Sequence, residues 1–217
     1  MRSDIEIQAD VLDEIRWDPR ITATNVGVEV SEGVVTLSGH VESYFEKLHA
    51  EKAAKRVYGV HAISQEIRVL LPGSSVRSDT EIARQIQSII LWSSIDPDEH
   101  IYIKVERGFI TLSGKVDAYH QKELAQNFAT NMLGVIGVTN LIKIEPKLSI
   151  PIIKKDIKDS FKRQAVDQAE KLDITIDKNI VTIAGKVKSW SERNSAINTV
   201  WSIPTVENVI DRIQVAP

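Results

Sequence analysis

Tyr44 and Lys47, Tyr119 and Lys122, and Trp190 and Arg193 form three aromatic–cation pairs with one spacing. Residues three apart on a helix share a face. A ring beside a cation suits a membrane interface, where the ring sits at headgroup depth and the cation meets lipid phosphate. It suits equally a structural cap, with the ring over the open end of a small sheet and the polar tip in solvent. Both readings of these six residues stand at this point. Other chemistry is harder to assemble. His40, His49, His61, His100 and His120 share no H-x-x-x-H spacing, and none recurs in every copy of the repeat described below. Zinc needs clustered ligands, so they read as surface histidines and no metal site is expected. Ser38 and Ser113 precede glycines in "TLSG", but a nucleophile elbow needs G-x-S-x-G at a strand-to-helix turn, and Ala184 takes the place in the third copy. The chain has no cysteine, which excludes disulfides, thiolate ligands and a Cys nucleophile. No enzyme, cofactor or catalytic residue is read from it.

The elements that must position these pairs repeat. "VTLSGHVESYFEK" (35–47), "ITLSGKVDAYHQK" (110–122) and "VTIAGKVKSWSER" (181–193) are three versions of one segment. Their glycines, Gly39, Gly114 and Gly185, lie 75 and 71 residues apart. Alternating apolar residues flank a short turn in each copy: Val26, Val28 and Val30 before Val35 and Leu37; Ile101, Ile103 and Val105 before Ile110 and Leu112; Leu172, Ile174 and Ile176 before Val181 and Ile183. Period-two alternation around such a turn predicts a β-hairpin. The glycine falls in its second strand, where it marks a bulge or the close approach of another backbone.

A helix follows each hairpin. Ser43 with Glu46 and Ser189 with Glu192 match the S-x-x-E start signal, and Asp117, Ala118 and Gln121 replace it in the second copy. Gly59, Gly134 and Pro204 stop these helices, and last strands are expected over 63–69, 138–144 and 206–215. An amphipathic helix precedes each hairpin, with Ile7, Val11 and Ile15, then Ile82, Ile86 and Ile90, then Ile153, Ile157 and Phe161 on one face. The prediction is an α+β chain of three tandem αββαβ units spanning 1–71, 76–146 and 150–217. Each is a two-layer sandwich of a three-stranded sheet with two helices on one face. "LLPGSSVRS" (70–78) and "EPKLSIP" (145–151) join them. Trp17 and Trp92 stand at matching ends of the first helices, which suggests that they dock one unit on another.

Composition narrows the partners. Of 217 residues 42% are hydrophobic and 26% charged, the net charge is -3, and the pI of about 6.0 offers no basic face for nucleic acid. No run approaches the ~20 apolar residues of a membrane span. "MRSDIEIQADVLDEIRW" carries acids where an export signal needs an apolar core. The expected location is cytoplasmic as written, or periplasmic if the chain is a trimmed mature form.

"VEVSEGVVTLSGHVES" with "VYGVHAISQEIRV", "IKVERGFITLSGKVDA" with "LGVIGVTNLIKI", and "ITIDKNIVTIAGKVKS" with "IPTVENVIDRI" each resemble the BON domain of OsmY-like proteins. The resemblance covers nearly the whole chain in three consecutive copies. It implies the same αββαβ order, a non-enzymatic role in osmotic or envelope stress, and phospholipid surfaces as a partner. One of the two readings of Tyr44, Tyr119 and Trp190 agrees with this, and with the resemblance it makes anionic phospholipid the expected partner; the structural cap stays open beside it. A protein-interaction or self-association scaffold, using open sheet faces and edge strands, is the alternative.

Overall fold

The computed structural model describes residues 2–93, 101–146, 157 and 172–215. It is an α+β molecule of three units, each with its own hydrophobic core. In the first unit, helix α1 (Asp4–Trp17) starts at Ser3, whose hydroxyl accepts from Glu6 N while Glu6 Oε2 accepts from Ser3 N. This reciprocal cap satisfies two of the donors that a helix start leaves orphaned. Ile7, Val11 and Ile15 recur every four residues and are buried. Strands β1 (Val26–Ser31) and β2 (Val34–Val41) form the antiparallel hairpin. Helix α2 (Tyr44–Arg56) then crosses over the sheet on Ala50, Ala53 and Ala54, whose small side chains allow close approach. The chain returns as β3 (Ala62–Gln65), parallel to β2.

The second unit repeats this plan with α3 (Asp79–Trp92), β5 (Ile101–Glu106), β6 (Phe109–Val116), α4 (Tyr119–Thr130) and β7 (Gly137–Asn140). The third shows β9 (Leu172–Asp177), β10 (Ile180–Val187), α5 (Trp190–Trp201) and β11 (Asn208–Val215). Its first helix is represented by the helical, fully buried Ile157; Ile153 and Phe161 lie outside the described residues.

The last strand departs from the expected single run in two units. It breaks after Gln65 and Asn140 and resumes as β4 (Arg68–Val69) and β8 (Lys143–Ile144), still paired with β2 and β6. The break has a local cause. The side-chain oxygens of Gln65 and Asn140 accept the N–H two residues on, from Ile67 at 3.2 Å and Ile142 at 3.1 Å. Asp211 does the same for Ile213 at 2.9 Å, although β11 continues through it.

The hairpin turns place Glu32, Arg107 and Lys178 at φ of 50°, 51° and 54°. In the third turn the left-handed residue is thus Lys178, while the Asn179 amide donates to Glu207 at 3.3 Å. Gly39, Gly114 and Gly185 sit opposite Val26, Ile101 and Leu172, with φ of 102°, 120° and 142°. A Cβ on Gly39 would fall 2.1 Å from Asn25 O, a backbone atom that cannot swing away. The close approach therefore comes from the chain entering β1.

Candidate functional site

The three repeated aromatics open α2, α4 and α5, and each reaches a neighbouring unit, Tyr119 while also packing on its own core. Tyr44 packs against the core of the second unit and hydrogen-bonds the backbone of Val138 in β7. Burial pushes its hydroxyl pKa up against that hydrogen bond. Tyr119 of the second unit stacks on Trp201 of the third, with ring centroids 4.5 Å apart and planes within 12°. Trp190 of the third unit packs against the core of the first, with Lys55 Nζ 5.5 Å from its ring centroid. First onto second, second onto third, third onto first: the contacts close a ring. Lys55 and Trp201, which receive two of these rings, each stand eleven residues after the aromatic of their own unit. Two of the three joints therefore use one heterologous contact, and the third places its aromatic on strand β7.

The paired cations are held within this framework. Lys47 Nζ donates to Ile67 O at 2.7 Å, at the break between β3 and β4. Arg193 pairs with Asp211 at 2.5 Å and lies 4.5 Å from the Trp190 ring centroid. The backbone carbonyl of Lys122 accepts from Asn140 Nδ2 at 3.0 Å, and burial lowers the pKa of its ammonium. Lys47 and Lys122 thus meet the strand break of their own units, and Arg193 meets Asp211 at the matching place in the unbroken β11. The sequence showed the cation; its partners, the Ile67 carbonyl, Asn140 and Asp211, were missed, because a backbone atom and two different side chains leave no common signature.

Trp17 and Trp92 require a correction. The docking role expected of them would bury them, yet they are 84% and 91% exposed, and Leu91 beside Trp92 is 71% exposed. Each tryptophan stands two residues beyond its helix's apolar stripe, after Ile15 or Ile90, about 200° around from the face that meets the core. Asp18 caps α1 in an extended conformation, and its buried carboxylate takes hydrogen bonds from Arg20 Nε at 2.7 Å and Nη2 at 2.8 Å. Those bonds from Arg20 lower its pKa to about 2. The turn so fixed follows Trp17, which stands in solvent with Arg16 and Arg20 next to it.

A second clamp also escaped the sequence reading. Asp4 Oδ2 and Oδ1 accept from Glu32 N and Gly33 N at 2.8 and 2.9 Å, and Asp79 holds Arg107 N and Gly108 N at 2.7 and 2.9 Å. Elsewhere the chemistry is sparse. Ser38 and Ser113 lie within β2 and β6, the ring of His49 meets Phe45 O at 2.8 Å, and no group of three candidate ligands could hold a metal among the described residues.

Three small αββαβ sandwiches, joined by their second helices and without a catalytic constellation among the described residues, define a class of tandem-repeat module. The chain belongs to the BON-domain family, whose profile matches residues 3–70, 78–146 and 150–217. It is 35% identical over 127 residues to osmotically-inducible protein Y of Escherichia coli (strain K12), a match spanning 57% of this chain and 63% of that protein. Among solved structures it is similar to CdsD, a structural protein of the type III secretion system of Chlamydia trachomatis (13% identity, 98% of this chain and 93% of that one, TM-score 0.25). A periplasmic domain of the inner-membrane protein PrgH from S. typhimurium is also similar (16% identity, 88% and 94%, TM-score 0.21). Among the described residues no helix is long and apolar enough to cross a membrane.

Proposed function

We propose that this protein is a non-enzymatic binding module of the osmotic or envelope stress response that attaches peripherally to anionic phospholipid surfaces. The family and the relative named for osmotic induction support the setting. The observation that carries the lipid reading is the pair of almost fully exposed tryptophans at matching helix ends, Trp17 and Trp92 with Leu91. Tryptophan in solvent costs apolar hydration, and its amphipathic ring is favourable at headgroup depth. Arg16 next to Trp17 adds attraction to lipid phosphate, while Arg20 is held by Asp18. The anchors in this reading are thus not Tyr44, Tyr119 and Trp190, whose rings serve the joints between units.

Sedimentation with vesicles of phosphatidylglycerol and of phosphatidylcholine tests it. Binding is expected to the anionic vesicles, weakening with salt as the arginine contribution is screened. Trp17→Ser combined with Trp92→Ser should reduce it at least tenfold without loss of fold. Folded parent protein that fails to sediment with phosphatidylglycerol at low salt overturns the proposal.

A further inference from the structure

The ring has a seam. Its first two joints link units that are neighbours in the chain, but the third joins the first unit to the third, which no single linker connects. Trp190 reaches across to the C-terminal end of α2, where it lies against the first unit's core near Lys55. Helices α2 and α5 touch there. Nothing in such a contact requires that the two units belong to one chain. Its geometry is heterologous: the donor is a first-turn aromatic, the acceptor is the far end of another unit's second helix, and the two surfaces differ. A heterologous contact closes on itself only when its rotation completes a ring, and otherwise it continues from molecule to molecule.

We infer that the C-terminal end of α2 around Lys55 is a docking site for the third unit of a second copy of this chain. The chain's own third unit occupies it when the ring is shut. Two features of the molecule favour this occupant. Trp190 is already seated on the site, so complementarity is shown with the surface that a second copy would bring. Each unit also carries its own core, so exchange requires that the third unit's two joints open, Trp190 on the first unit and Tyr119 on Trp201, and not that a unit unfold. Tethering favours the chain's own unit through its high effective concentration. Exchange therefore emerges when the internal joint is weakened and the protein is concentrated.

Two full-length variants separate the halves of the contact. Trp190→Ser spoils the donor and leaves the acceptor intact; Lys55→Glu spoils the acceptor and leaves Trp190 intact. Each alone has lost one half and should remain a monomer by light scattering. Mixed in equal amounts at about 100 µM, a concentration that detects contacts of modest free energy, they should form a one-to-one complex of twice the monomer mass. A chain carrying both substitutions should stay monomeric with either single variant. Circular dichroism reports that each variant is folded, and Lys55→Arg, which keeps the cation, should restore the parent's behaviour. A mixture of the folded single variants that remains monomeric overturns the inference. So does association of equal strength by the double variant.

Discussion

Asp18 carries much of the local order at the end of α1. Its carboxylate is buried, takes two hydrogen bonds from Arg20 and lies 3.5 Å from Arg56 on α2. Those interactions favour the charged form, so the folded pKa of about 2 lies below the 3.8 of an unperturbed carboxyl. The sign follows. The contribution is complete above the unfolded pKa and is lost as pH falls through the folded one, between about pH 4 and 2. Asp18→Asn should cost on the order of 2 kcal/mol at pH 7, and the gap to the parent should close across that window. Urea unfolding of both proteins at pH 7, 4 and 2.5 measures it; a gap independent of pH would mean that Asp18 acts by shape alone. The burial of this carboxylate was not legible in the sequence. "WDPR" reads as a helix end, and Trp17, two residues past Ile15, falls about 200° around α1 from the buried stripe. The repeated glycines were more legible, because a strand glycine recurring in three copies at one register has few explanations. What pressed on Gly39 was not: the contacting atom is the Asn25 carbonyl, and backbone leaves no residue-type signature.

At the scale of elements, periodicity carried most of the reading. Ile7, Val11 and Ile15, and Ile82 and Ile86, are the buried stripes of α1 and α3 because a four-residue spacing can face one way only on a helix. The hairpins follow from period-two alternation for the same reason. Lost to the sequence was the interaction between them. Asp4 and Asp79 are each the first residue of a helix and would pass as ordinary favourable charges there. In the fold each reaches 28 and 29 residues ahead and holds the two turn amides of its hairpin. That compensates a turn in which Glu32 or Arg107, neither a glycine, adopts positive φ. Asp79→Ala should therefore destabilise by about 1–2 kcal/mol, and the effect should be local. Hydrogen exchange is the direct readout: the amides of Arg107 and Gly108 should lose protection while those of Glu32 and Gly33 keep it. Unchanged exchange at Arg107 and Gly108 would show that the turn holds its own shape.

The whole molecule depends on contacts between units that are individually small. A unit of about 70 residues is near the size at which one core barely outweighs chain entropy. Tyr44 and Tyr119 bind the second unit to both neighbours: one docks on it, the other leaves it to stack on Trp201. An aromatic contact of this kind adds about 0.5–1.5 kcal/mol beyond the area it buries. Two of them are enough to couple three marginal units into one transition, since coupling need only exceed the differences in stability among them. The parent should then melt as a single step, with van't Hoff and calorimetric enthalpies that agree. Replacing Tyr44 and Tyr119 together by Ser removes both rings from the margin of the second unit's core and leaves its fully buried Ile82, Ile86, Ile110 and Leu112 in place. The second unit should then melt separately, giving two calorimetric peaks and a van't Hoff enthalpy well below the calorimetric one. A double variant that still unfolds in one step, at a temperature merely lowered, would place the coupling in the linkers and not in the rings. The repeated aromatic is legible in the sequence because three copies need it. Its partner is not, because Lys55 and Trp201 share a repeat position but no residue type, and Val138 comes from a strand.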